Sequence, residues 1–68
     1  MRLKELREER HLTQKTVANY LNVKQNTYSQ YENGQRQISI DSLILLAKLY
    51  ETSVDYILEL TDNETPYN

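Results

Sequence analysis

Sixty-eight residues with no cysteine, one histidine, one glycine and one proline allow one small domain and exclude a disulfide framework or a thiolate metal site. The net charge is −2, but residues 1–36 hold seven Lys/Arg against four acids, a net of +3, and residues 37–68 a net of −5, an asymmetry that points to a polyanion partner for the positive half. No run approaches the roughly 20 apolar residues of a membrane span, and the charged start, MRLKELREER, lacks a secretory signal's apolar segment, so the expected location is cytoplasmic.

Few chain breakers favour helices joined by short turns. Residues 2–10 read as a first helix. Leu3 and Leu6 lie one turn apart on its inner face, and Arg7 shares the side of Leu3, where a partly buried guanidinium needs a partner. His11 follows in a helix-ending position, where histidine tolerates a left-handed backbone; a pH sensor is the alternative. Thr13 is a good N-cap for a second helix. Gln14 then sits beside free backbone N–H groups at the positive end of the helix dipole, a ready phosphate site. Val17, Ala18 and Leu21 recur at helical spacing and face the core. Asn22 takes the turn, where asparagine is the best choice after glycine for a positive φ, and Val23 points back inward.

The third helix runs from about Lys24 to Asn33, with Tyr28 and Tyr31 inward at i, i+3. That spacing makes the two tyrosines core residues rather than base-stacking groups. Gln25, Asn26, Ser29 and Gln30 point outward. Their amides and hydroxyl both donate and accept hydrogen bonds, as reading base edges in a DNA major groove requires; the plain alternative is an ordinary polar helix face. Thr27, near the first turn, reaches toward a phosphate. Lys24 stands where an N-cap is wanted and cannot cap, so it serves phosphate attraction or reflects neutral drift. Lys15, Arg10 and Arg36 are phosphate contacts or solvated charges. Asn33-Gly34 is a strong helix stop.

Ser39 caps a fourth helix, Ile40 to Tyr50, whose core face is Ile40, Leu43, Leu46, Ala47 and Tyr50. At about 100° per residue, Leu45 and Leu49 fall away from that face. A helix apolar on both sides is buried on both sides, so a fifth helix or a dimer partner covers them. Ser53 caps that fifth helix, about Val54 to Leu60, with Val54, Ile57 and Leu58 inward. The chain divides into a domain over 1–60 and a flexible C-terminal tail over 61–68, TDNETPYN.

Four stretches, LKELREER, LTQKTVANYL, NVKQNTYSQYENGQR and SIDSLILLAKLYETSVDYIL, together resemble the Xre-like helix-turn-helix family, which includes phage repressors and Cro proteins. The resemblance implies an all-α, compact five-helix bundle of the lambda-repressor-like DNA-binding type, with the third helix as recognition helix. Carried over by position, it implies base contact for Gln25, Asn26, Ser29 and Gln30. Gln14 looks like the family's glutamine that contacts a phosphate and braces the first recognition-helix glutamine, here Gln25. Asn33, Gln35 and Arg36 fall on DNA-backbone-contacting positions. Arg7 and Glu32 match a partly buried salt bridge between the first and third helices. The chain departs from the family at His11 and Asn22, where glycine is usual, at Lys24, where Ser or Thr is favoured, and at Ile38, often proline. Leu45 and Leu49 sit where relatives often carry Lys and Ala, which again points to a partner surface.

The expected function is a sequence-specific, double-stranded DNA-binding transcription regulator, a repressor by analogy. A homodimer on a palindromic operator would place two recognition helices about 34 Å apart. An antagonist protein is a further expected partner. The rival reading is a protein-binding module of the same fold, an antitoxin or antagonist, supported by the acidic C-terminal half and the outward leucines. The residues offer no catalytic set: no cysteine, one histidine in a turn, no phosphate-cradling glycine loop and no paired carboxylates on a structured face. Neither enzyme activity nor a metal or other cofactor is expected.

Overall fold

Apolar side chains at helical spacing, closed off by turns, decide where each helix of this chain sits. The computed structural model describes residues 1–66. Among them it places five helices: α1 (Leu3–Glu9), α2 (Gln14–Leu21), α3 (Gln25–Glu32), α4 (Ile40–Leu49) and α5 (Val54–Ile57). The described residues contain no strand, and none of their helices is long and apolar enough to cross a membrane.

Three helices start on a hydroxyl that accepts from a backbone N–H otherwise left without a partner. Thr13 accepts from the Thr16 N–H at 3.1 Å, Ser39 from Ser42 at 3.1 Å and Ser53 from Tyr56 at 3.0 Å. All five helices end in one way. A left-handed residue follows the last turn: His11 (φ 56°), Asn22 (59°), Gly34 (75°), Glu51 (53°) and Glu59 (64°). The next N–H then bonds to the carbonyl five residues back, from Leu12 to Arg7, Val23 to Ala18, Gln35 to Gln30, Thr52 to Ala47 and Leu60 to Asp55, at 2.8–3.0 Å. This Schellman arrangement satisfies carbonyls that the helix leaves over. Only one of the five positions has the glycine that adopts it without steric cost.

The helices pack as α2 on α3, α4 on α5, α1 on α3 and α2 on α4. Their shared core holds Leu3 and Leu6 of α1, Val17, Ala18 and Leu21 of α2, and Tyr28 and Tyr31 of α3. Ile38, Leu43, Leu46, Tyr50, Tyr56 and Ile57 complete it. The Tyr28 and Tyr31 rings meet edge to face, centroids 6.3 Å apart, a favoured aromatic geometry.

Two expectations for the C-terminal half are corrected and one open alternative is resolved. Ile40 is 61% exposed; it opens α4 at the margin of the inward face, and Ile38, just before the Ser39 cap, is buried there instead. Of the two leucines expected to be covered by a fifth helix or a dimer partner, Leu49 packs against the core of its own domain and Leu45 is exposed, at 38%. Helix α5 ends at Ile57, not Leu60, because Glu59 turns left-handed and Leu60 bonds back to Asp55. Tyr56, absent from the expected inward set, is buried: the Arg2 guanidinium lies over its ring, 4.2 Å from the centroid.

The segment expected as a flexible tail, 61–68, makes contacts in its first part. The Thr52 hydroxyl donates to the Glu64 carbonyl at 2.6 Å, and Arg2 pairs with Asp62 at 3.1 Å. Tyr67 and Asn68 lie outside the described residues.

The partner Arg7 needs is Glu32. Nε meets Oε2 at 2.7 Å and a second guanidinium nitrogen meets Oε1 at 3.3 Å, with the two side chains 13% and 3% exposed. Arg7 also donates to the Leu12 carbonyl at 2.9 Å. Burial alone would raise the Glu32 carboxyl, but Arg7, the nearby Tyr28 hydroxyl and Gln14 outweigh it and hold the group below the ordinary carboxylate range. The same burial pushes the Tyr50 hydroxyl up to about 12 and drives Tyr28 well above the ordinary tyrosine range.

These shifts set the pH limits of stability. The Glu32 contribution is present above the ordinary carboxyl value of 4.5 and is lost as pH falls through the depressed folded value. The neutral tyrosines act oppositely, their contribution present below 10 and lost as pH rises toward 12. Glu32→Ala is expected to cost about 3 kcal/mol in urea unfolding at neutral pH, because Arg7 is left buried and unpaired, and to flatten the acid limb of the stability–pH curve. At the α4 terminus, Glu51→Gly is expected to stabilise by about 1 kcal/mol, relieving the left-handed strain. Thermal melting should show a gain of about 4–8 °C for a domain of this size.

Candidate nucleic-acid interface

Burial of Tyr28 and Tyr31 fixes the rotation of α3. At about 100° per residue, Gln25, Asn26, Ser29 and Gln30 share one sector of the helix, opposite the two tyrosines. The structure brings these four together. With Gln14 and Gln35 they line one open groove. All six side chains are uncharged and polar, so the groove offers a dense set of hydrogen-bond donors and acceptors without a formal charge. The one acid of α3, Glu32, is turned away and neutralised by Arg7.

Gln14 is held differently from the arrangement the family resemblance implies. Its amide nitrogen donates to Glu32 Oε1 at 3.1 Å and makes no hydrogen bond to Gln25. The same carboxylate therefore ties Arg7, Gln14 and α3 together. Gln35 reaches the groove because the turn after α3 folds back, its N–H bonding to the Gln30 carbonyl at 2.9 Å. The remaining candidates for DNA-backbone contact lie outside the groove lining. Lys15, Lys24, Asn33 and Arg36 are exposed, and Thr27 is partly buried. Lys24 and Asn33 are the two cap residues of α3, so they stand at opposite ends of the helix that carries the outward set. Among the other surface candidates, Leu45 stays exposed beside Tyr20, whose hydroxyl donates to the Leu45 carbonyl at 3.1 Å.

Two contacts escape a reading by spacing. Arg10, open between phosphate contact and solvated charge, donates to the Tyr50 carbonyl at 2.9 Å, at the negative end of the α4 dipole. Arg36 donates through Nε to Gln30 Oε1 at 2.9 Å. Neither pair shares a helix, so no periodicity marks it.

Residues 3–57 match the family model described as helix-turn-helix. The chain is 40% identical over 65 residues to YobD, an uncharacterized HTH-type transcriptional regulator of Bacillus subtilis (strain 168), covering 96% of this chain and 58% of that protein. It is 44% identical over 57 residues to ImmR, an HTH-type transcriptional regulator of the same strain, covering 84% and 45%. It is 36% identical over 64 residues to the cryptic phage CTXphi transcriptional repressor RstR of Vibrio cholerae, covering 94% and 56%. The chain thus spans about half the length of these curated relatives. No solved structure matches it.

Lys24 is the one weak joint of the site. It holds the extended N-cap conformation, φ −72° and ψ 151°, with no side-chain hydrogen bond to the first turn of α3. Lys24→Ser should add that bond and stabilise the fold by about 1 kcal/mol, measured by chemical denaturation. If the lysine attracts phosphate, the same variant should bind polyanions more weakly despite its greater stability.

Proposed function

The chain belongs to the helix-turn-helix family, in its Xre-like branch, and from that premise we propose that it is a sequence-specific, double-stranded DNA-binding transcription regulator. One observation carries the reading: a single groove lined only by Gln14, Gln25, Asn26, Ser29, Gln30 and Gln35. Five amides and one hydroxyl in one concavity match the donor and acceptor code of a major groove. Helix α3 enters that groove. Gln25, Asn26, Ser29 and Gln30 meet base edges, while Gln14, Lys15, Lys24, Thr27, Asn33, Gln35 and Arg36 meet the phosphate backbone and set register. The protein acts without catalysis or cofactor, in the cytoplasm, and represses, as RstR does by name.

It binds as a homodimer on a palindromic operator, two α3 helices about 34 Å apart. Exposed Tyr20, Ile44 and Leu45 supply apolar surface for a partner protein. They also favour the second reading, in which the fold grips another protein and binds DNA little. The dimer equilibrium, protein abundance or an antagonist then sets occupancy.

Selection of bound duplexes from a random pool tests both readings. A palindromic consensus with salt-sensitive retardation is expected. No enrichment and no retardation would leave the protein-gripping module standing. Gln25→Ala should relax base preference at one position of each half-site. Arg36→Ala should weaken binding to every sequence and reduce the salt slope by about one unit; an unchanged slope would remove Arg36 from the phosphate contacts.

A further inference from the structure

The bond from Arg36 Nε to Gln30 Oε1, 2.9 Å long, is set up by the main chain. Gly34 takes a left-handed φ of 75°, and the Gln35 N–H returns to the Gln30 carbonyl. The next residue, Arg36, is thereby brought back beside the residue six positions earlier. Gln30 lines the polar groove and is itself partly shielded from solvent. An unrestrained glutamine amide offers a carbonyl oxygen and an NH2 group and turns either toward a base. Arg36 restrains that freedom: its Nε holds one lone pair of the oxygen and draws the oxygen toward the turn, which favours the NH2 as the group turned to a base.

Resting on the DNA-binding reading, we infer that Arg36 is a positioning residue that makes Gln30 a hydrogen-bond donor and so selects guanine over adenine at one base pair of each half-site. Guanine presents two acceptors, N7 and O6, in the major groove. Adenine presents one acceptor and one donor, and its bidentate pairing with glutamine needs the oxygen turned toward the base, which the bond to Arg36 opposes. In the free protein the bond is exposed and weak. Closing the groove on DNA excludes water and strengthens it. Only Nε is used, so the two terminal nitrogens of Arg36 remain for a phosphate, and one side chain both anchors and orients.

Duplex selection on the full chain, comparing wild type, Arg36→Ala, Gln30→Ala and the double variant, tests this. Gln30→Ala marks the base pair concerned as the position whose preference vanishes. Wild type should hold guanine there. Arg36→Ala should lower the guanine-over-adenine ratio at that pair about tenfold, one hydrogen bond's worth, with other positions unchanged. In the Gln30→Ala background, removing Arg36 should lower affinity alone and alter no preference. Uniform weakening by Arg36→Ala with guanine retained, adenine in the wild-type consensus, or a Gln30→Ala profile equal to wild type would each overturn the positioning role while leaving DNA binding intact. Failure of the wild-type chain to bind any duplex would reject the DNA-binding reading and this role together.

Discussion

Three helices converge on one carboxylate. Glu32 belongs to α3, takes two bonds from Arg7 of α1 and a third from Gln14 of α2, and Arg7 reaches on to the carbonyl of Leu12 in the link between α1 and α2. A buried ion pair contributes little net stability against a well-packed apolar substitute, since desolvation offsets most of the attraction. Its value here is directional. Hydrogen bonds to a fixed guanidinium fork and a fixed amide are satisfied at one rotation of α3, and that rotation faces Gln25, Asn26, Ser29 and Gln30 away from the core. The pair also disposes of the only acid on the helix that would approach a polyanion.

The surroundings of this pair carry a cost. The hydroxyls of Tyr28 and Tyr50 are buried beside the pair, and withdrawing a polar group from water is costly. Left-handed backbone at four non-glycine helix ends adds to it. Both features are concentrated where the chain must change direction or hold a charge inside a core with few layers. Their compensation is the apolar packing of Val17, Leu3, Leu46 and Ile57, each almost fully removed from solvent.

The N-terminal half was legible because its signals are local. Thr13 caps, Val17, Ala18 and Leu21 repeat at helical spacing, and Asn22 and Gly34 mark left-handed stops, all within a few residues of one another. The outward quartet followed from the inward tyrosines by simple rotation. The C-terminal half was less legible because α4 is apolar nearly all round, so rotation alone did not choose between Leu45 and Leu49, and Ile38, ahead of the Ser39 cap, lies outside any helical repeat. Tyr56 joins the core with Arg2 stacked over its ring, and Arg2 lies far away in sequence. Glu51 and Glu59 gave no warning that they end helices, since glutamate is a poor choice for that geometry. Around the groove, residue types were readable and their mutual bonds were not: Gln14 to Glu32 and Arg36 to Gln30 depend on how helices and turns meet in space.

The contacts of Arg2 place the beginning and the later part of the chain side by side. Its N–H bonds to the Ile57 carbonyl at 2.9 Å, its guanidinium covers Tyr56 and reaches Asp62, and the Met1 amine meets Glu59 at 3.1 Å. These contacts join residues far apart in sequence, so closing them costs the entropy of a long loop, and they form cheaply only once the intervening helices have packed.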